Sequence, residues 1–455
     1  MASTDRRLPK VAYLVALALF MEHLDGTILV TAAPQIAADF GVASADVNVT
    51  MSAYLVAVAC AIPLGGWLAA RLGARGVFCA SVALFTLASA LCALSGDLAA
   101  LTAGRVLQGI AGGMMVPVGR LVVLRGTARR DLVRAIAVIT WPALLAPVLA
   151  PALGGLISTI ATWHWIFLLN LPLGVVAFVA GLLMVRDTTR ERRSLDWPGL
   201  IFVTAALLGL MISVELAADG TGLGILLAAA TAVLACGAAL VRLLRARHPL
   251  LDLRAFRIPT FRVTNSGGFI FRAAVNAIPF LLPLLLQDAF GWSPLESGLA
   301  VTALFLGNVG IKIVTTPLLR RLGFRTVLAG GVIGTLVCLV LFGLLGSDVP
   351  AAIIWTLGFA SGVFRSIGFT AYNSIQFADI DQRDLGSANT LSATLAQLAA
   401  GLGIAAAATT LRVADAAGAA DPYRITFLVL AALCVLSLVS ALKLPRDAAS
   451  HVSDR

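Results

Sequence analysis

The sequence predicts an all-α polytopic membrane protein with fourteen transmembrane helices. Three observations carry that prediction. The 455 residues are 60% hydrophobic and only 12% charged, about half the charged share of a soluble domain, and mean hydropathy is +0.97. Apolar runs of about 18 residues or more recur from end to end, each long enough to cross a core of about 30 Å. Lys and Arg fall in alternate loops, the pattern of a chain whose basic loops stay on one side of a bilayer.

The first span covers 11–33. MASTDRRLPK with Val11–Phe20 has the outline of a signal peptide, but no small-residue cleavage site follows and the apolar run continues, so it reads as a retained span. The next five spans are 49–69, 77–95, 99–124, 134–158 and 163–185. A seventh and an eighth, 197–217 and 222–244, are separated only by AADGTG. The last six are 261–287, 297–319, 326–346, 349–375, 388–411 and 424–443. The N-terminal tail holds Arg6, Arg7 and Lys10, and later basic loops hold Arg71 and Arg75, Arg129 and Arg130, Arg186 and Arg190, then Arg320, Arg321 and Arg325. The intervening loops lack Lys and Arg, except the last, which has Arg412 and Arg424. That alternation predicts both termini on the cytoplasmic side.

The net charge of +10 is therefore topological rather than a nucleic-acid footprint. The six cysteines lie in apolar stretches without metal-ligand spacing and read as packing residues. The four histidines are scattered, with no HExxH and no Walker loop, so the sequence predicts no enzyme, no metal site and no cofactor. The absence of a pore-loop motif disfavours a channel.

The chain repeats itself. LAARLGARGVF from Leu68 and LLRRLGFRTVL from Leu318 share Leu, Arg, Leu, Gly and Arg at an offset of 250. The match joins equivalent spans if spans 1–6 repeat as 9–14. The expected organisation is an N-terminal six-helix half at 1–188, an inserted pair at 189–245 and a C-terminal six-helix half at 246–455. Parallel halves around a site near the bilayer midplane are a transporter architecture.

Several stretches carry a family resemblance. Gly66-Trp-Leu-Ala-Ala-Arg71-Leu-Gly73-Ala-Arg75 resembles the cytoplasmic loop motif of the major facilitator superfamily, with Ala70 where the motif has an acid. Arg105-Val-Leu-Gln108-Gly109 resembles its fourth-helix motif. Leu24-Asp25-Gly-Thr27-Ile28 and Trp163-His-Trp-Ile-Phe-Leu-Leu-Asn170-Leu-Pro172-Leu-Gly174 resemble the fourteen-helix drug:proton antiporter branch. The fifth span reads Ala146-Pro147…Ala150-Pro151-Ala-Leu-Gly154-Gly155, where the antiporter motif has further glycines. MMVPVGRL and WHWIF are similar to multidrug exporters of the bacterial inner membrane. The resemblance spans nearly the whole chain. It implies the major facilitator fold, alternating access, and gating roles for Gly66, Arg71, Gly73, Arg75, Pro147, Pro151, Gly154 and Gly155.

Six charged side chains stand clearly inside spans, away from their ends: Glu22, Asp25, Arg105, Arg272, Lys312 and Arg365. Each costs about 2.5–3.5 kcal/mol at the bilayer centre, so such residues face cavities and act there. Glu22 and Asp25 are three apart and share a helix face. Asp25 matches the family's first-helix acid and reads as the main proton site, with Glu22 assisting. The alternative is a static Asp25–Arg105 pair that ties helices 1 and 4. His23 lies off that shared face and reads as structural. The offset of 250 makes Glu22 and Arg272 equivalent, predicting a state-dependent pair across the pseudo-twofold axis. Arg272, Lys312 and Arg365, with Asn276 and Tyr54, form the candidate substrate site. Surplus cations predict carboxylate-bearing metabolites or metal–carboxylate chelates as substrates, with Lys312 or Arg365 bound to backbone carbonyls as the alternative. The sequence therefore predicts a proton-coupled exporter of small molecules, driven by a proton gradient, in contact with lipid and not with nucleic acid. Export of lipophilic or cationic drugs is the alternative, followed by a facilitator or importer.

Overall fold

The computed structural model describes residues 10–126, 132–185, 196–218, 222–246, 251–376, 379–380 and 385–444. Arg6, Arg7, Arg129, Arg130, Arg186 and Arg190, and the expected boundary at 188–189, lie outside the described residues. Among the described residues every regular element is helical. In chain order these are α1 (Lys10–Ile28), α2 (Ala33–Phe40), α3 (Asn48–Leu72), α4 (Ala74–Ala93), α5 (Leu98–Gly126) and α6 (Leu132–Ile160). There follow α7 (His164–Leu168), α8 (Asn170–Met184), α9 (Trp197–Ala218), α10 (Gly222–Arg245), α11 (Pro259–Leu284) and α12 (Pro294–Gly310). The last are α13 (Lys312–Leu322), α14 (Phe324–Gly343), α15 (Ala351–Ile375), α16 (Leu385–Ala416) and α17 (Pro422–Leu442). Joining α1 to α2, α7 to α8 and α12 to α13 across their short breaks leaves fourteen rods. Among the described residues, ten helices are long and apolar enough to cross a membrane by length and composition. The rods make a multi-pass bundle with Lys10 and Leu442 at one end, here the near end.

The first span runs further than its hydropathy suggests. Leu29–Ala32 tightens into a 3-10 turn and the chain continues as α2 to Phe40. Pro34 starts α2, where its missing N–H costs nothing, and Gly41 at φ 68° stops it. The pair α9 and α10 falls within two residues of the segments the hydropathy marks.

The repeat is visible as geometry. Gly73 (φ 99°) and Gly323 (φ 74°) both take positive φ between two helices, a region that only glycine enters at little cost. Gly73 N–H donates to Ala69 O and Gly323 N–H to Leu319 O, each at 3.1 Å. Helix pairing repeats as well. α3–α5, α4–α5, α4–α8, α1–α6 and α1–α8 have counterparts in α12–α15, α14–α15, α14–α17, α11–α16 and α11–α17. The two sets meet where α6 packs on α12 and α3 on α16.

Glycine sets the closest approaches. Cβ atoms built at Gly109 and Gly113 on α5 would meet backbone of Tyr54 and Val58 on α3. Gly155 on α6 abuts Pro294 and Leu295, and Gly298 on α12 abuts Pro151. Small residues in register let helix backbones touch where lipid supplies no hydrophobic drive.

Candidate functional site

A cavity of about 440 Å³ lies between the two sets of helices, a volume typical of small-molecule sites. One wall is α1 with α3: Glu22, His23, Thr27 and Tyr54 face inward. The opposite wall is α11 with α15: Arg272, Asn276, Arg365 and Asn373. Three phenylalanines, Phe280, Phe305 and Phe369, line it further. The lining extends to Gln376 and Asn389, at the near ends of α15 and α16.

At the far end the two sets are tied together. Gln287 donates to Thr31 O at 3.3 Å, Ser52 donates to Gly401 O at 3.2 Å, and Arg412 pairs with Asp46 at 3.0 Å. The α6–α12 glycine contacts lie at the same end.

Asp25 is not in the cavity. It is 1% exposed and sits behind the wall, paired to Arg105, itself 1% exposed. Gln108 donates to Asp25 Oδ1 at 3.1 Å and Asn170 to the same oxygen at 2.7 Å. Gln108 also donates to Ser89 Oγ at 2.7 Å and accepts from Arg105 at 2.9 Å. Arg105 stacks over the Tyr54 ring, 4.2 Å from its centroid. A buried charge pair holds only when the remaining lone pairs are met, and here both carboxylate oxygens have donors from α5 and α8. Three of the motifs quoted above thus converge on one carboxylate.

Glu22 is the carboxylate that reaches the cavity. Its Oε2 lies 2.5 Å from His23 Nδ1, and Tyr54 Oη donates to its Oε1 at 3.2 Å. His23 Nδ1 is also 3.0 Å from Leu19 O. Gly112 on α5 leaves the room: a Cβ there would stand 3.3 Å from Glu22 Cγ and from Tyr54 Oη. His23 thus lines the cavity beside Glu22 while contacting the backbone of its own helix. Adjacent side chains diverge by about 100° on a helix, but both can reach one concave wall. Arg120, near the end of α5, acts electrostatically on both Glu22 and His23. Arg120 falls within the fourth span, 99–124, and that position is the sequence signal that marks it, although it stands outside the six charges singled out above.

Arg272 and Arg365 brace each other's helices. Arg272 donates to Asn373 Oδ1 at 3.0 Å, and Arg365 donates to Asn276 Oδ1 at 2.9 Å. Arg365 also donates to Val275 O at 3.3 Å and lies 5.4 Å from the centroids of Phe305 and Phe369. It thus binds a backbone carbonyl and lines the cavity at once. Glu22 and Arg272 share the cavity without forming an ion pair in this conformation. Lys312 is exposed at the start of α13 and does not line the cavity.

Of the expected gating residues, Pro147 lines the cavity, while Pro151, Gly154 and Gly155 lie where α6 meets α1 and α12. Arg75 donates to Leu182 O at 2.6 Å, and Arg71 lies over Trp67, which meets Trp197 edge-on. Gly66 faces open space on α3, and Gly73 makes the turn into α4.

The Major Facilitator Superfamily model matches residues 15–248 and 264–455. A relative from Salmonella heidelberg, named "Putative multidrug resistance protein MdtD", is 34% identical over 451 residues, covering 96% of this chain and 94% of the relative. A relative of the same name from Escherichia coli is 32% identical over 454 residues, covering 97% and 96%. Among solved structures, the nucleoside transporter NupG superposes with a TM-score of 0.70 at 13% identity, covering 95% of this chain and 98% of that one. The human organic anion transporter MFSD10 gives 0.62 at 17% identity, covering 97% and 100%. At these identities the structural likeness shows the fold alone. The family match over most of the chain and the full-length relatives establish that this protein belongs to the Major Facilitator Superfamily of membrane transporters.

Proposed function

We propose that the chain is a proton-coupled exporter, a substrate:H+ antiporter, for small molecules that carry a carboxylate or a metal–carboxylate chelate. One observation carries the choice of substrate. The cavity holds two guanidiniums, Arg272 and Arg365, against one carboxylate, Glu22, because Asp25 and Arg105 neutralise each other outside it. A cavity with surplus positive charge attracts anions, and each guanidinium offers a planar fork to a carboxylate. Proton coupling rests with α1: Glu22 at the cavity, Asp25 and Arg105 behind it. The organisation that fits is two six-helix halves, 1–188 and 246–455, rocking about the cavity with 189–245 inserted. Gly66, Arg71, Gly73 and Arg75 act at the near loop, and Pro147, Pro151, Gly154 and Gly155 at the α6 crossings. With the basic loops cytoplasmic in a bacterial inner membrane, the far-end contacts describe a state closed to the outside.

A second reading has its own support. The relatives' name and the three cavity phenylalanines favour lipophilic or cationic drugs. The test is made in proteoliposomes containing a pH-sensitive dye under an imposed proton gradient, with citrate, ferric citrate and tetraphenylphosphonium added in turn. Proton flux triggered by the carboxylates and lost in Arg272→Gln supports the first reading; flux triggered by tetraphenylphosphonium alone overturns it.

A further inference from the structure

The cavity has two chemically different poles. Glu22 and His23 on α1 form one; Arg272 and Arg365, on α11 and α15, form the other. The geometry points to a zwitterion as the transported molecule, its ammonium held at Glu22–His23 and its carboxylate at Arg272–Arg365, with protons competing for the Glu22–His23 pole. This rests on the proton-coupled export reading and narrows its substrate class.

The negative pole has a defined proton inventory. His23 Nδ1 contacts Leu19 O and Glu22 Oε2. Both are acceptors, so Nδ1 carries the hydrogen, and Nε2 is left as the basic nitrogen. His23's side chain is 34% exposed, whereas that of Asp25 is fully covered. Water in the cavity can thus deliver a proton to Nε2, giving an imidazolium that Glu22 neutralises; the same proton returns to water on release. A substrate ammonium would donate to Nε2 and sit beside the Glu22 carboxylate. Once the imidazolium forms, Nε2 has no lone pair to offer, and Glu22 is already balanced. Proton and ammonium exclude each other, the condition antiport requires. A plain anion would behave oppositely, since protonating this wall makes the cavity more attractive to it.

The charged and titratable groups around this pole are Tyr54 from α3, Arg120 and Arg105 from α5, and Arg272 and Arg365 across the cavity. Within α1 itself Asp25 is matched by Arg105. From α6 and α16 the cavity receives the uncharged Pro147 and Gln397. The positive pole has an unused donor: Arg365 Nε is buried and without a partner.

The experiment uses the purified full chain and three ring-matched probes: 4-(aminomethyl)benzoate, 4-methylbenzoate and 4-methylbenzylamine. Binding is measured by titration calorimetry between about pH 5 and 8, the range of histidine. The zwitterion is expected to bind about tenfold or more tighter than either singly charged probe, and to weaken as pH falls. That pH dependence should disappear in both Glu22→Gln and His23→Gln. Equal binding of 4-methylbenzoate, or a pH dependence kept in both Glu22→Gln and His23→Gln, overturns the inference. Proton flux in the liposome assay tests the parent reading separately. Flux carried equally by the zwitterion and by 4-methylbenzoate retains export but sinks the two-pole substrate. Tight, pH-sensitive zwitterion binding without flux retains the two poles but sinks proton-coupled export.

Discussion

Asp25 exchanges water for a guanidinium and two carboxamides, supplied by Arg105, Gln108 and Asn170. Removing one partner of such a buried pair costs about 3–5 kcal/mol, because the other charge is stranded. Arg105→Ala should therefore lower the thermal unfolding midpoint sharply in detergent, and Arg105→Ala with Asp25→Asn should recover part of the loss. An unfolding midpoint unchanged in Arg105→Ala would remove the pair's structural role. The sequence made this pair legible because each partner is a charge inside an apolar span and each belongs to a motif. It made Glu22 and His23 less legible. Helical spacing put Glu22 with Asp25, yet the fold turns Asp25 toward α5 and α8 and leaves Glu22 on the cavity wall beside His23. Facing directions of neighbouring residues depend on which helices arrive on either side, and that is a tertiary fact. Lys312 shows the same limit: a charge counted inside a span lies at the break between α12 and α13, on the exposed side.

Two adjacent glycines on α5 do different work. A Cβ at Gly113 would stand 2.6 Å from Val58 O and 2.9 Å from Ala61 Cβ, so the α3 backbone has to yield. A Cβ at Gly112 would meet side chains and no backbone: Glu22 Cγ and Tyr54 Oη at 3.3 Å and Phe85 Cε2 at 3.7 Å. Gly113→Ala should destabilise the protein by about 1–3 kcal/mol through overpacking. Gly112→Ala should leave the unfolding midpoint nearly unchanged while altering the pH profile of transport. Thermal unfolding and liposome flux on the two variants check the contrast; the same stability loss in both would mean that Gly112 serves packing alone. At this scale the sequence was most informative. The seam between α9 and α10 and the repeated turn at Gly73 and Gly323 both follow from short local patterns. The continuation into α2 did not, because hydropathy falls at Pro34 while the backbone remains helical.

Across the whole molecule, the exception to the charge alternation acquires a reason. Arg412, which with Arg424 breaks the alternation and lies near the far end of α16, pairs with Asp46 from the other set of helices at 3.0 Å. Both partners are partly exposed, so the pair contributes about 1 kcal/mol or less, enough to shift a two-state population about fivefold. Asp46→Asn should increase the fraction open at the far end, read as longer distances between spin labels on α2 and α16. The exchanged pair, Asp46→Arg with Arg412→Asp, should restore the wild-type distribution. A distribution that Asp46→Asn leaves unchanged would show that the remaining far-end contacts, the glycine crossings and the Gln287 and Ser52 hydrogen bonds, close this end without the ion pair. The sequence marked Arg412 as irregular but held no sign of its partner, 366 residues away. The inserted helices also have a place at this scale. α9 packs against both α3 and α16, and Val203, Ala206, Ala239 and Leu243 join Val56, Ala59 and Leu391 in one apolar cluster. The seam between the two sets is thus roofed on that side. A molecule dissolved in the surrounding lipid on that side meets α9 and α10 before it can reach the cavity.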